Sequence, residues 1–248
     1  MTTHKLNQKK LILKKITKNG YCIIQDIFKK QEVDSYKKLI KKIYTKRVDQ
    51  KESVGSVNNQ CIYNFFYEDL KLMPLVYIKK IDSILSTLLE KNYVLQSSNA
   101  QNRLIEKLKI NKKNFKIGNS WHTDSRYLNN KRISNGFSFL VIIALEDFNE
   151  KTASTQFIKN SLKSFKQPKR FKNFSFNTLK MKRGSVCIMD TGIIHRGGVA
   201  IHATVDVVGE VDVIKNNTSG DEIPVEDDEG INLSKTDTSG DGICVRDD

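Results

Sequence analysis

The chain has 248 residues, of which 38% are hydrophobic and 28% charged, with a formal net charge of +14. That length and apolar content suffice for a buried core in one large domain or two small ones. No apolar run approaches the roughly 20 residues needed to cross a bilayer, which excludes a membrane-spanning reading.

The charge is divided unevenly. Residues 1–200 carry thirty-nine basic and fifteen acidic side chains, and residues 201–248 carry three and thirteen. Most of the positive charge is lysine in pairs along solvated helix faces. No recognised nucleic-acid module accompanies it, so a nucleic-acid partner is not expected. The opening Met1–Lys10 lacks the apolar region of a signal peptide, which leads to an expectation of a cytoplasmic protein. Cys22, Cys61, Cys187 and Cys244 lack C-x-x-C spacing, against a zinc ribbon or a disulfide framework.

In chain order, residues 5–18 read as a basic amphipathic helix with Leu11, Ile12, Leu13 and Ile16 among lysines, closed by Asn19-Gly20. Tyr21–Ile24 reads as a short strand. Residues 31–46 form a lysine-rich helix carrying Val33, Tyr36, Leu39, Ile40 and Ile43, and 70–91 a further helical region with Leu85, Leu88 and Leu89 on its apolar face. From residue 93 the pattern changes to strands: 93–95, the almost wholly apolar 137–145, and 185–189. The second is predicted to be buried on both faces. Helices followed by strands imply an α+β fold with a β-sandwich or barrel core.

The tail differs again. Residues 201–214 have strand propensity, and a near-repeat follows, Thr218-Ser-Gly-Asp221 against Thr238-Ser-Gly-Asp241, too short to form a solenoid and lacking EF-hand spacing. It reads as an exposed acidic extension.

The chemistry-bearing stretch is Trp121-His-Thr-Asp124. In a strand, residues i and i+2 share a face, so His122 and Asp124 can both address one ion. A third ligand is available in His195, which follows the apolar strand 185–189 and a Thr191-Gly192 turn. His4, near the amino terminus, and His202, in the tail, have no comparable setting. Two imidazoles and a carboxylate fit a non-haem iron site with open positions. They equally fit a catalytic zinc site, or unrelated histidines at a surface and a sheet edge.

The wider pattern resembles the phytanoyl-CoA dioxygenase family of Fe(II)- and 2-oxoglutarate-dependent oxygenases. The similarity runs from Asn19-Gly-Tyr-Cys-Ile-Ile24 through Trp121-His-Thr-Asp124 and Phe139–Asp147 to the segment 184–198, which contains His195. The resemblance implies a double-stranded β-helix, a jelly-roll-like core with flanking N-terminal helices, spanning residues 1–200. It implies His122, Asp124 and His195 as catalytic metal ligands for Fe(II), with 2-oxoglutarate as co-substrate, O2 as oxidant and a small-molecule substrate that is hydroxylated. Related halogenases have a small residue where Asp124 stands. Two departures accompany the likeness. The family's arginine for the far carboxylate of 2-oxoglutarate is expected about ten residues after His195, where Val205–Val213 is acidic; Arg196 should face away from the metal, and Lys215 could substitute only through a bulge. Lys159-Asn-Ser-Leu162 stands where the family often has Pro-Gly-Ser-His. Residues 201–248 therefore read as an extension that replaces the family's last strands. The missing arginine keeps a second reading open, an inactive β-helix protein that acts by binding. Neither the substrate nor an oligomeric state follows from the sequence.

Overall fold

In a computed structural model, which describes residues 3–52, 55–56, 59–103, 121–124, 127–128, 131–132, 136–150, 152, 154–163, 175–198 and 206–215, the chain opens with helix α1 (Thr3–Asn19). Ile12 and Ile16, one turn apart, are its buried residues. Gly20 then donates its N–H to Ile16 O (2.7 Å) and takes φ +82°, a left-handed cap that turns the chain into β1 (Tyr21–Ile24). Helix α2 (Lys30–Asp49) follows, its entry fixed by Glu32 accepting the Lys29 N–H at 2.7 Å and its apolar stripe made by Val33, Ile40 and Ile43.

Strands β2 (Gly55–Ser56) and β3 (Asn59–Tyr63) come next. The region predicted as helical over 70–91 is broken: a 3-10 turn at Leu70–Leu72, α3 (Met73–Val76), then α4 (Lys79–Leu88). Pro74 suits a helix start, where its missing N–H costs nothing, and Tyr77 and Ile78 are extended between the two helices. The break lets Leu75 and Ile81 both reach the core.

The remaining strands are β4 (Tyr93–Arg103), β5 (Tyr127–Leu128), β6 (Lys131–Arg132), β7 (Ser138–Ala144), β8 (Gln156–Phe157), β9 (Asn177–Thr178), β10 (Val186–Asp190), β11 (His195–Arg196) and β12 (Asp206–Lys215). Seven of the described strands form one antiparallel sheet in the order β1-β10-β7-β12-β4-β3-β2, and β11-β8-β9 form a second. The strand expected over 201–214 is present as β12. It does not cap an edge: it lies between β7 and β4, paired with β4 along its full length.

β7 shows why the large sheet is stable. All seven of its residues are buried. Phe139, Val141 and Ile143 face a cluster that includes Val33, Ile40, Leu75, Ile84 and Leu85 from the helices. Leu140, Ile142 and Ala144 face the other way, against Phe157, Leu179 and Met181 around the small sheet. The period of two along one strand thus fills two cores, one between sheet and helices and one between the two sheets. This is an α+β fold with N-terminal helices and a double-stranded β-helix core. No helix among the described residues is long and apolar enough to cross a membrane. Cys22, Cys61 and Cys187 are buried and not in a disulfide. Cys244, His202 and the Thr-Ser-Gly-Asp near-repeat lie outside the described residues.

Candidate metal centre

His195 opens β11 and lies in register with Phe157 of β8, so both share the face that looks into the space between the sheets. His122 joins the same face through a single antiparallel bridge: its N–H donates to His195 O at 3.0 Å, and the N–H of His195 donates back to His122 O at 2.9 Å. The two rings come to 4.5 Å between centroids. Asp124 lies just past this bridge rather than in a strand, and its backbone N–H donates to Thr191 O at 3.0 Å. The predicted sharing of a face by i and i+2 is therefore achieved by a bridge plus one loop hydrogen bond.

These placements bring the three predicted ligands together. One ligand atom from each of His122, Asp124 and His195 lies within 4.8 Å of the others. Nε2 of His195 is 3.2 Å from Asp124 Oδ2, and Nε2 of His122 is 3.6 Å from Asp124 Oδ1. His195 is 8% exposed at its side chain, whereas His122 and Asp124 are about a third open (30% and 33%), so the group is closed on one side and accessible on the other.

The ring of His195 is oriented from behind. Its Nδ1 is 2.9 Å from Ile193 O, and since a carbonyl can only accept, Nδ1 carries a proton and Nε2 is the nitrogen turned toward Asp124. Lone pairs from imidazole and carboxylate at this range repel unless they share a proton or a cation. Desolvation pushes the Asp124 carboxyl upward, but the charge and hydrogen bond of His195 and the charge of His122 outweigh it and hold the group below the ordinary aspartate value. A donor set of two imidazoles and one anionic carboxylate, open on one side, fits a divalent transition metal.

The opposite face of the same short strands carries a brace. Arg196, next to His195, extends over the ring of Trp121, next to His122, with Cζ 4.3 Å from the centroid; Phe176 lies 5.3 Å away. Its Nε donates to Gln156 Oε1 at 2.9 Å. Burial pushes this guanidinium's pKa down. Arg196 thus faces away from the ligands, as alternation along the strand requires.

Three contributions escaped the sequence reading. The carbonyls of Thr191 and Ile193 carry no side-chain signature and are visible only in the folded turn. Ser161, buried, accepts the Ile194 N–H at 2.9 Å through Oγ, beside the distal ligand. Asn160 before it takes φ +62°, a left-handed conformation that asparagine tolerates better than most residues. The serine of Lys159-Asn-Ser-Leu162 was the available signal. The one irregularity in the β12–β4 pairing, at Asp212/Val213, skips Gln96 on β4 and leaves β12 in even register with β7; the side chain of Lys215 lies outside what the structure describes.

Comparison with known proteins agrees with this geometry. A family model described as phytanoyl-CoA dioxygenase (PhyH) matches residues 16–199. None of the curated proteins compared matches the chain. Among solved structures, the epimerase SnoN in complex with Fe3+, alpha ketoglutarate and nogalamycin RO is 11% identical, with TM-score 0.65 over 85% of this chain and 84% of that one. The carbocyclase SnoK from nogalamycin biosynthesis is 14% identical, with TM-score 0.66 over 85% and 86%. HygX from Streptomyces hygroscopicus, with nickel and 2-oxoglutarate bound, is 11% identical, with TM-score 0.65 over 88% of each chain. At these identities the likeness is one of fold.

Proposed function

Because the chain belongs to the phytanoyl-CoA dioxygenase family, we propose that it is a non-haem Fe(II)- and 2-oxoglutarate-dependent oxygenase acting on a small organic substrate, with His122, Asp124 and His195 as the iron ligands. The observation that carries this reading is the convergence of two imidazoles and one carboxylate, 73 positions apart in sequence at their extremes, on the face between the two sheets. The bound metals and 2-oxoglutarate named for SnoN and HygX support it. Iron held there with the co-substrate supplies oxygen activation coupled to decarboxylation of 2-oxoglutarate to succinate.

The chain's own residues do the rest. Ile193 O fixes the tautomer of His195, the paired backbones of His122 and His195 set the spacing of the two rings, and Thr191 O holds the Asp124 backbone. Phe157 and the cluster around Leu140 and Ile142 keep water from the buried side. His122, Asp124 and His195 would hold the ion from one side and leave the open side for co-substrate, O2 and substrate. The reaction we assign is hydroxylation, since Asp124 fills the position that a halide needs; the epimerase and carbocyclase among the structural neighbours show that this fold hosts other outcomes.

Among the described side chains the far carboxylate of 2-oxoglutarate has no assigned partner, since Arg196 faces the Trp121 ring. We read residues 1–200 as the oxygenase domain, with Asp206–Lys215 of the extension supplying the last strand of its large sheet, and the protein as cytoplasmic. The test is aerobic succinate formation from 2-oxoglutarate with Fe(II) supplied, alongside calorimetric binding of 2-oxoglutarate to the Co(II)-loaded chain. Turnover in the wild type and its loss in His122→Ala are expected. Neither turnover nor co-substrate binding in the wild type would leave only a binding protein on an oxygenase fold.

A further inference from the structure

The turn between β10 and β11 supplies more of the metal centre than His195. Its residues Thr191 and Ile193 contribute the two carbonyls that hold Asp124 and the His195 ring, at 3.0 and 2.9 Å. Two of the three ligands are therefore set by the shape of one four-residue turn. That shape is governed by Asp190, the last residue of β10, which is 3% exposed. Its Oδ1 accepts the Gly192 N–H at 2.8 Å and closes the turn from within. Its Oδ2 accepts the Gly136 N–H at 2.7 Å and ties the turn to the segment leading into β7. Its backbone is held as well: Asp190 N donates to Gly20 O at 2.8 Å, and Ile193 N donates to Asp190 O at 3.0 Å. Beside it Thr191 Oγ1 and Ser138 Oγ form a short hydroxyl–hydroxyl hydrogen bond at 2.5 Å, a second tie to β7.

We propose that Asp190 is a positioning residue of the metal centre: through the turn 190–193 its carboxylate sets where the Thr191 and Ile193 carbonyls stand, and so where Asp124 and His195 meet the ion. The inference rests on the assignment of His122, Asp124 and His195 as ligands. A carboxylate is the group suited to this place, because it accepts on both oxygens while both neighbours are backbone donors. An amide of the same shape accepts on one side only and turns an N–H toward the other donor, so one bond is lost and one donor is left opposed. The strand ladder of β10 survives that change, and the turn does not keep its shape.

The experiment uses the full chain and Co(II) as the probe, with affinity from calorimetry, ligand geometry from the visible absorption of the bound ion, and melting temperature measured in parallel. Asp190→Asn is expected to weaken Co(II) binding about 10- to 100-fold, the range for groups that orient metal ligands, and to alter the absorption bands. Val186→Ala, at a buried site earlier in β10, is the control: it lowers the melting temperature and leaves affinity within about twofold and the bands unchanged, which separates positioning from general destabilisation. If Asp190→Asn fails to fold, Thr191→Val carries the test, since it removes the hydroxyl tie to Ser138 and keeps the carbonyl; a loss at the low end of the same range, about 10-fold, is expected. Wild-type affinity and spectrum in the folded Asp190→Asn variant, or in Thr191→Val where that stands in, overturn the proposal. No Co(II) binding by the wild type overturns the ligand assignment itself, and this inference with it.

Discussion

The two sheets divide stability from chemistry. In the large sheet β4 has eleven residues, β12 ten and β7 seven, and the ladders continue from strand to strand. In the small sheet β8, β9 and β11 have two residues each, and His122 is joined by one bridge. Long ladders and two apolar cores hold the first sheet whatever any single residue does. The second is held by separate contacts: the His122–His195 backbone pair, the Thr191 and Ile193 carbonyls, Ser161 Oγ and the Arg196–Trp121 stack. A metal centre placed there has the precision of its individual hydrogen bonds, and the large sheet serves as the rigid wall from which they are built.

The strongest way to break this contrast is to damage the large sheet and look for an effect on the metal. Ile143 is fully buried near the end of β7, facing the helices. Ile143→Ala is expected to cost about 2–5 kcal/mol, through lost burial and the cavity left behind, measured by denaturant unfolding. Metal stoichiometry and affinity of the folded fraction should remain those of the wild type. A fall in affinity comparable to the loss from removing a ligand would mean that the two sheets are not separable in this way.

The same contrast explains what could be read from sequence. β1, β7 and β10 announced themselves because their residues are apolar on both faces and flanked by turns. The ligands did so because His-x-Asp and a distal histidine after such a strand are few in kind and demanding in geometry. β4 was legible only at Tyr93–Leu95, since Gln96, Ser97, Ser98, Asn99, Gln101 and Asn102 have no periodicity that marks a strand; its length is fixed by pairing with β3 and β12, far away in sequence. The central place of β12 was hidden for the same reason. An acidic strand after a loss of family resemblance gives no sign of its partners, and partners are what decide whether a strand lies inside a sheet or at its edge. The interruption at Tyr77 and Ile78 was obscured because the apolar spacing on its two sides remains helical.

A sharper test concerns the two faces of the small sheet. Arg196→Ala removes the stack on Trp121 and the hydrogen bond to Gln156, at a cost of about 1–2 kcal/mol by the ordinary worth of a partly desolvated cation–π contact. If Arg196 belongs to the outer face alone, the affinity of the Co(II)-loaded chain for 2-oxoglutarate stays within about twofold of wild type by calorimetry. A tenfold loss would place the guanidinium on the inner face during binding, in the role of the family's missing arginine.

The smallest expected effect lies where the chain passes from one sheet to the other. Just after β7, Asp147 accepts from Lys182 Nζ and from the Arg183 N–H, both at the start of the β10 segment, beside the Phe148–Met181 bridge that begins the crossing. The hydrogen bond from Lys182, and then that from the Arg183 backbone, hold its carboxyl below the usual aspartate value against the desolvation that raises it. A folded-state pKa lower than the unfolded one stabilises the fold fully above the unfolded value, about 3.9, and the contribution disappears as pH falls through the folded value beneath it. Wild type should therefore melt slightly above Asp147→Asn at neutral pH, and the gap should close on acidification through that window. Lys182 is largely open to water and Asp147 about half, so screening keeps the effect small and added salt should reduce it. A gap that persists unchanged into strong acid would assign the contribution of Asp147 to its neutral hydrogen bond with the Arg183 backbone, and the junction would then rest on the same kind of single backbone contact that holds the metal ligands.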